Sequence, residues 1–308
     1  MRDSWRHRCL VSTVLFMSFP KATEDPKAYI EGLETVATDD FFTAVEVTKL
    51  DDDEARRDAV SIVKSAGLEV IFGAQYVLLS GGLNLNALDE SERRRAVDAV
   101  KACFEQAVEF GAKVVAVLSG PDPGEGSREE AKGALVRSLV ELCKEAPEGV
   151  WISLENFDRE VDKKCLIGPT AEAAEVAGKV KEEAPNIGLT VDLSHLPLLG
   201  EEPEESISTA FEHLIHVHIG NCVKGDPSHP AYGDKHPRFG IEGGENDVRA
   251  VHKFFQVLYY SGYFTKDLPT RLPVIGIEVK PMEGECPEVV LANSKRVFKE
   301  AWARLVNP

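Results

Sequence analysis

Ile215-His216-Val217-His218-Ile219-Gly220 is a short β-rich run whose side chains alternate between two faces. His216 and His218 fall on one face, Val217 and Ile219 on the other. Working outward, comparable runs lie at residues 9–18, 42–48, 68–73, 113–119, 150–155, 188–193 and 273–279, which makes eight in all. Between them are stretches rich in Ala, Glu, Lys, Arg and Leu with apolar residues three and four apart, most clearly 90–109, 128–145, 171–183 and 247–260. Strand and helix alternate from one end of the chain to the other, the signature of βαβ units on a parallel sheet. Eight such units predict a closed (β/α)8 TIM barrel, because doubly wound sheets commonly use about five or six strands. No internal repeat or linker interrupts the alternation, so residues 1–308 are read as a single domain.

Composition narrows the class of function. Hydrophobic residues make up 43% and charged residues 28%, the balance of a globular protein with a substantial core. A formal net charge of -17 repels phosphates, and no Lys/Arg-rich run offsets it, so nucleic acid is not the expected partner. Cys9, Cys103, Cys143, Cys165, Cys222 and Cys286 are scattered without a C-x-x-C pair, as expected of reduced thiols in a cytoplasmic protein. Arg2, Arg6 and Arg8 ahead of the apolar run 9–19 imitate a signal peptide. Ser12, Thr13 and Ser18 interrupt that run and no small-x-small cleavage site follows, so it is read as the first barrel strand. No other segment approaches the ~20 apolar residues of a membrane span.

Four strands place a metal-ligating side chain at or near their C-terminal ends: Glu155, Asp192, His218 and Glu278. In a barrel these ends converge on one rim, so residues distant in sequence can share one ion. Three carboxylates and an imidazole form a hard, oxygen-rich set that favours Mn2+, with Mg2+ or Co2+ as alternatives. An acidic residue after a strand commonly caps a helix or sits in solvent, but four successive strands doing so points to a site. Of the two histidines, His218 lies nearer the rim and is the expected ligand, with His216 as a hydrogen-bonded supporting residue. Glu46 either reaches the rim or is a surface charge paired with Lys49, and Asp122 is read as a turn former. Two long connections, 74–89 and 221–246, leave strand C-termini. The second is dense in Gly, Pro, His and Asp and is read as an ordered lid, with His229, Asp234, His236 and Arg238 as candidate substrate contacts.

Ser153-Leu154-Glu155-Asn156, Val191-Asp192-Leu193-Ser194-His195, His216-Val217-His218-Ile219-Gly220-Asn221 and Ile277-Glu278-Val279, in that order, resemble the xylose-isomerase-like TIM-barrel superfamily of sugar isomerases and epimerases. The resemblance implies one divalent metal held by Glu155, Asp192, His218 and Glu278, with Glu155 and Glu278 as the catalytic acid–base pair. It further implies that His195, in the Asp-x-x-His after strand six, touches substrate oxygen. By the same resemblance a basic residue shortly after the metal histidine binds substrate, and Lys224 is the nearest. The implied activity is isomerisation or epimerisation of a sugar through an enediolate. A lyase eliminating a substituent from a 3-oxo sugar and a non-catalytic sugar-binding barrel are the alternatives. The superfamily also contains endonuclease IV-type repair enzymes, whose zinc cluster uses further histidines near early strands, and this chain has no histidine between His7 and His195. Relatives often pair through their barrels, so a homo-oligomer fits the resemblance.

Overall fold

The computed structural model describes residues 4–306. Eight parallel strands form the barrel: β1 Leu10–Thr13, β2 Ala44–Val47, β3 Glu69–Gly73, β4 Val114–Leu118, β5 Trp151–Glu155, β6 Ile187–Asp192, β7 Leu214–Ile219 and β8 Val274–Ile277. They pair in the order β1-β8-β7-β6-β5-β4-β3-β2. The ring closes between β1 and β2 through a bridge from Val14 to Glu46 and a 3.0 Å hydrogen bond from Thr43 N–H to the Val11 carbonyl. Helices Pro26–Thr38, Asp53–Ala66, Glu90–Phe110, Arg128–Glu145, Thr170–Lys181, Pro203–Ala210, Val248–Ser261 and Pro287–Val306 follow the strands in turn and cover the outside.

The local signals explain these helices. Asp25, Asp52, Asp89 and Asp247 each accept a backbone N–H as N-caps, and Gly67, Gly111 and Gly262 close helices in the left-handed conformation. Outward strand residues such as Val11, Val45, Val115, Leu154 and Val217 join the helices in the main core. Inside the barrel, Leu10, Ala44, Ile71, Val114, Ile215 and Val274 form a small apolar layer near the strands' N-terminal ends. Above it the interior turns polar, with Ser12, Glu46, Ser153, Thr190, Asp192, His216 and His218 all buried. A register shift in the β6–β7 pairing, from Leu189↔Leu214 to Thr190↔His216, skips Ile215. Ile215 therefore joins the apolar layer while His216 and His218 face the interior above it.

Two expectations change in detail. Residues 9–18 are not one strand: the ladder stops at Thr13 and the chain winds into a helical turn, Leu15–Ser18, fastened by a 2.7 Å contact between the Thr13 and Ser18 hydroxyls. Connection 74–89 holds the short helix Gln75–Ser80, and Leu196–Leu199 adds another after β6. The apolar N-terminal run is built into the barrel as β1, while Arg2 lies outside the described residues. No described helix is long and apolar enough to cross a membrane.

The last helix is anchored by aromatic packing to the segments leading into β1 and β2 and to the helix Val248–Ser261. Phe298 is fully buried, lies edge-on to Trp5, Phe41 and Phe255, and stacks on Trp302. Phe298→Ala is expected to lower unfolding stability by about 3–5 kcal/mol in urea titration; a loss below about 1 kcal/mol would show that this packing does not hold the barrel's seam.

Candidate functional site

At the C-terminal rim, β5 to β8 bring Glu155, Asp192, His218 and Glu278 together, each offering a donor atom within 4.8 Å of the others. His218 Nδ1 lies 2.8 Å from Glu278 Oε2, 3.3 Å from Glu155 Oε1 and 3.8 Å from Asp192 Oδ2. Glu155 Oε1, Asp192 Oδ2 and His218 Nδ1 are buried and have no hydrogen-bond partner. Buried polar atoms left unsatisfied are costly, and three converging on one point fit a bound cation. Donors around a cation at ligand distances of about 2.0–2.2 Å lie up to about 4.4 Å apart, so this set needs only slight contraction to hold one.

The other oxygens are already engaged. Gln75 donates to Glu155 Oε2 at 2.9 Å, and Ser194 N–H donates to Asp192 Oδ1 at 2.6 Å. Glu155 and Asp192 are thereby each fixed with one oxygen free for the common centre.

Beneath the cluster lies Glu46, 3% exposed and inside the barrel. Ser12 donates to its Oε1 at 2.6 Å, His216 Nε2 lies 3.1 Å from that oxygen, and His218 Nε2 lies 3.0 Å from Oε2. Burial pushes the Glu46 carboxyl up, but His218 and His216 outweigh it and hold it well below the usual range. With Glu46 ionised, His218 donates through Nε2 and turns Nδ1 toward the rim. Glu46, His216 and His218 also bring donor atoms together, but that group satisfies itself. The glycine opposite is required by this arrangement: a Cβ on Gly276 of β8 would sit 2.3 Å from Glu46 Oε1 and 2.5 Å from His218 Cδ2.

A second group adjoins the first. Asp192, His195 and His236 place donor atoms within 4.8 Å of one another. His195 Nδ1 donates to the Asn156 carbonyl at 2.9 Å, leaving Nε2 directed at Asp234 Oδ1, 3.2 Å away. His236 Nε2 lies 2.8 Å from the same Asp234 oxygen, and Lys163 Nζ lies 2.9 Å from Oδ2. Burial would lower the His195 imidazole, but Asp234 and Asp192 outweigh it and raise it to about 10. His236 is raised to about 9 against its burial, by Glu278 and Asp234. Burial likewise opposes the ionised Asp234, yet His236, His195 and Lys163 hold it well below the carboxylate range. In the absence of a metal, protonated histidines thus balance an excess of buried carboxylates.

These groups floor a cavity of about 510 Å³, with Glu155, His218, Asp234, His236 and Glu278 in its lining. A profile of the xylose isomerase-like TIM barrel family matches residues 31–283. The chain belongs to that family. Comparison with curated protein sequences gives no significant match. Among solved structures, a D-tagatose 3-epimerase-like protein aligns with a TM-score of 0.72 at 20% identity, covering 96% of this chain and 98% of that one. A family 2 AP endonuclease from Brucella melitensis aligns with a TM-score of 0.66 at 20% identity, covering 92% and 96%. An IOLI protein with a bound zinc atom aligns with a TM-score of 0.67 at 19% identity, covering 97% of each chain. Likeness at this identity establishes the barrel architecture alone.

In this family member the other residues singled out from the sequence separate into two sets. His195 and His236 are buried beside the ligand cluster, in contact with Asp192 rather than facing open solvent. Lys224 is exposed and donates to the Pro197 carbonyl, away from the cavity. Arg238 pairs with Glu285 at 2.7 Å, and the ring of His229 accepts the Ala231 N–H, so neither lines the cavity. Asp122 is held by Arg128 and accepts the Gly124 N–H, as a turn residue would. Sequence reasoning passed over Gln75 and Lys163, which follow β3 and β5, because neither type carries a metal-ligand signal.

Glu46→Gln is expected to weaken divalent-metal binding roughly 10–100-fold in calorimetric titration, because it removes the acceptor that orients His218. Unchanged affinity in a folded variant would detach Glu46 from the site.

Proposed function

We propose that this protein is a divalent-metal-dependent sugar isomerase or epimerase that moves a proton next to a substrate carbonyl through an enediolate. The observation carrying this reading is the convergence of three buried donor atoms without hydrogen-bond partners, with Glu278, at the floor of a cavity. The set of three carboxylates and one imidazole suits Mn2+ first, with Mg2+ or Co2+ as substitutes. The family membership and structural neighbours that include a D-tagatose 3-epimerase-like protein and a zinc-bound IOLI protein support sugar chemistry.

A bound divalent cation supplies a Lewis acid that polarises the carbonyl and offsets charge developing on the adjacent oxygen. This chain's residues do the rest. Glu155 and Glu278 come from β5 and from just after β8, on different sides of His218, and are placed to remove and return the proton. Return to the neighbouring carbon isomerises; return to the opposite face of the same carbon epimerises. Gln75 holds Glu155 in a fixed orientation, and His195, buried outside the cavity lining, backs Asp234 and Asp192 rather than reaching substrate oxygen. Loop 221–246 closes one side of the site and limits water. Asn221 donates to the Arg238 carbonyl and accepts the Asn246 N–H, and Asn246 donates to the Leu193 and Gly220 carbonyls.

The direct test is proton–deuterium exchange in D2O across ketoses and 3-oxo sugars, after chelation and after Mn2+ is restored. Exchange next to the carbonyl is expected only with metal. Glu155→Gln and Glu278→Gln are each expected to slow it at least about 100-fold, with metal content measured alongside. Full exchange in both variants would overturn the proton-transfer assignment.

A further inference from the structure

The cavity above the ligand cluster has two unlike halves. On the β5–β7 arc lie carboxylates, histidines and Lys163; on the opposite arc a group of apolar side chains lies alongside Thr23, Glu24, Gln75, Lys280 and Glu283. That group is built by the two short helices after β1 and β3, which contribute Phe16, Met17, Tyr76 and Leu79, and by Met282 after β8. The rings of Phe16 and Tyr76 pack against each other with centroids 5.7 Å apart, inclined at 49°. Leu79 is 48% exposed, and Phe16, Met17, Tyr76 and Met282 are half-buried. Grouped apolar side chains left open to water inside a cavity mark a ligand surface.

The five grouped apolar side chains suit a ligand that is not hydroxylated throughout. Apart from the Tyr76 hydroxyl, these five side chains offer no strong hydrogen-bond donor or acceptor. Sugar hydroxyls pressed against them would give up water without replacement, which is unfavourable. The volume points the same way: about 510 Å³ lies in the range of sites for drug-sized ligands, larger than one monosaccharide needs.

We propose that the substrate is a sugar carrying an apolar, ring-containing substituent, its carbon skeleton over Glu155, His218 and Glu278 and its substituent against the wall formed by Phe16, Met17, Tyr76, Leu79 and Met282. The sugar half of this inference rests on the proposed isomerase or epimerase reading; the apolar half rests on the wall alone.

The test measures binding of phenyl and methyl β-D-glucopyranoside to the metal-loaded protein by calorimetry. The phenyl compound is expected to bind at least about tenfold more tightly. Leu79→Asp is expected to collapse that ratio to within about threefold, and Tyr76→Ala to reduce it. Equal affinities, no binding of either compound, or a ratio untouched by both variants would overturn the proposal. The D2O experiment separates the two readings. Metal-dependent exchange without a phenyl preference sinks this inference alone, whereas a phenyl preference without exchange on any sugar sinks the isomerase reading and leaves the apolar subsite standing.

Discussion

The carboxylate of Glu46, buried in the barrel and shared by His216, His218 and Ser12, is the interaction on which the rim above it depends. An ionised carboxylate at such depth is tolerated only when its lone pairs are matched by donors, and here two imidazoles and a hydroxyl match them. The match fixes the tautomer of His218, and with it the nitrogen that faces Glu155, Asp192 and Glu278. Gly276 leaves the space this requires, since any side chain there would displace Glu46 or His218. The register shift opposite Ile215 does the rest, keeping apolar bulk below and both histidines above.

The rim is completed by loops that hold each other. Asp162 accepts the Asp234 N–H and pairs with Lys163 and Lys235, joining the segment after β5 to loop 221–246. His236 sits at φ 50, a left-handed conformation unfavourable for a residue with a Cβ, and its carbonyl accepts the Lys280 N–H at 2.6 Å. That conformation turns the imidazole inward to Ser194, Asp234 and Asp192. Strain of this kind persists where neighbouring contacts over-determine the backbone, and here they do so at the edge of the donor cluster.

Much of this was legible in the sequence because barrel chemistry sits where the periodicity is strongest. Glu155, Asp192, His218 and Glu278 stand at or beside strand ends, so counting eight strands also placed four side chains on one rim. The helix Arg128–Glu145 was read to the residue, and Glu90–Phe110 to within one. What escaped follows from the same physics. Leu15-Phe16-Met17 continues an apolar run, and period alone does not separate a strand from a helical turn of that length. Lys224 was placed by its distance from His218 along the chain, but the loop's path after Asn221 is set by side-chain-to-backbone hydrogen bonds that no periodicity encodes. Glu46 remained ambiguous because its partners His216 and His218 lie on the far strand β7, and only the closed barrel brings them together.

The central claim is that Glu46 orients His218 so that Nδ1, with three carboxylates, holds one cation. Anomalous diffraction from crystals of the Mn2+-loaded protein tests it most directly. The account predicts a peak within ligand distance of Glu155, Asp192, His218 Nδ1 and Glu278, with His218 Nε2 still on Glu46. A peak bound through His218 Nε2, or no peak among these four residues, would contradict it.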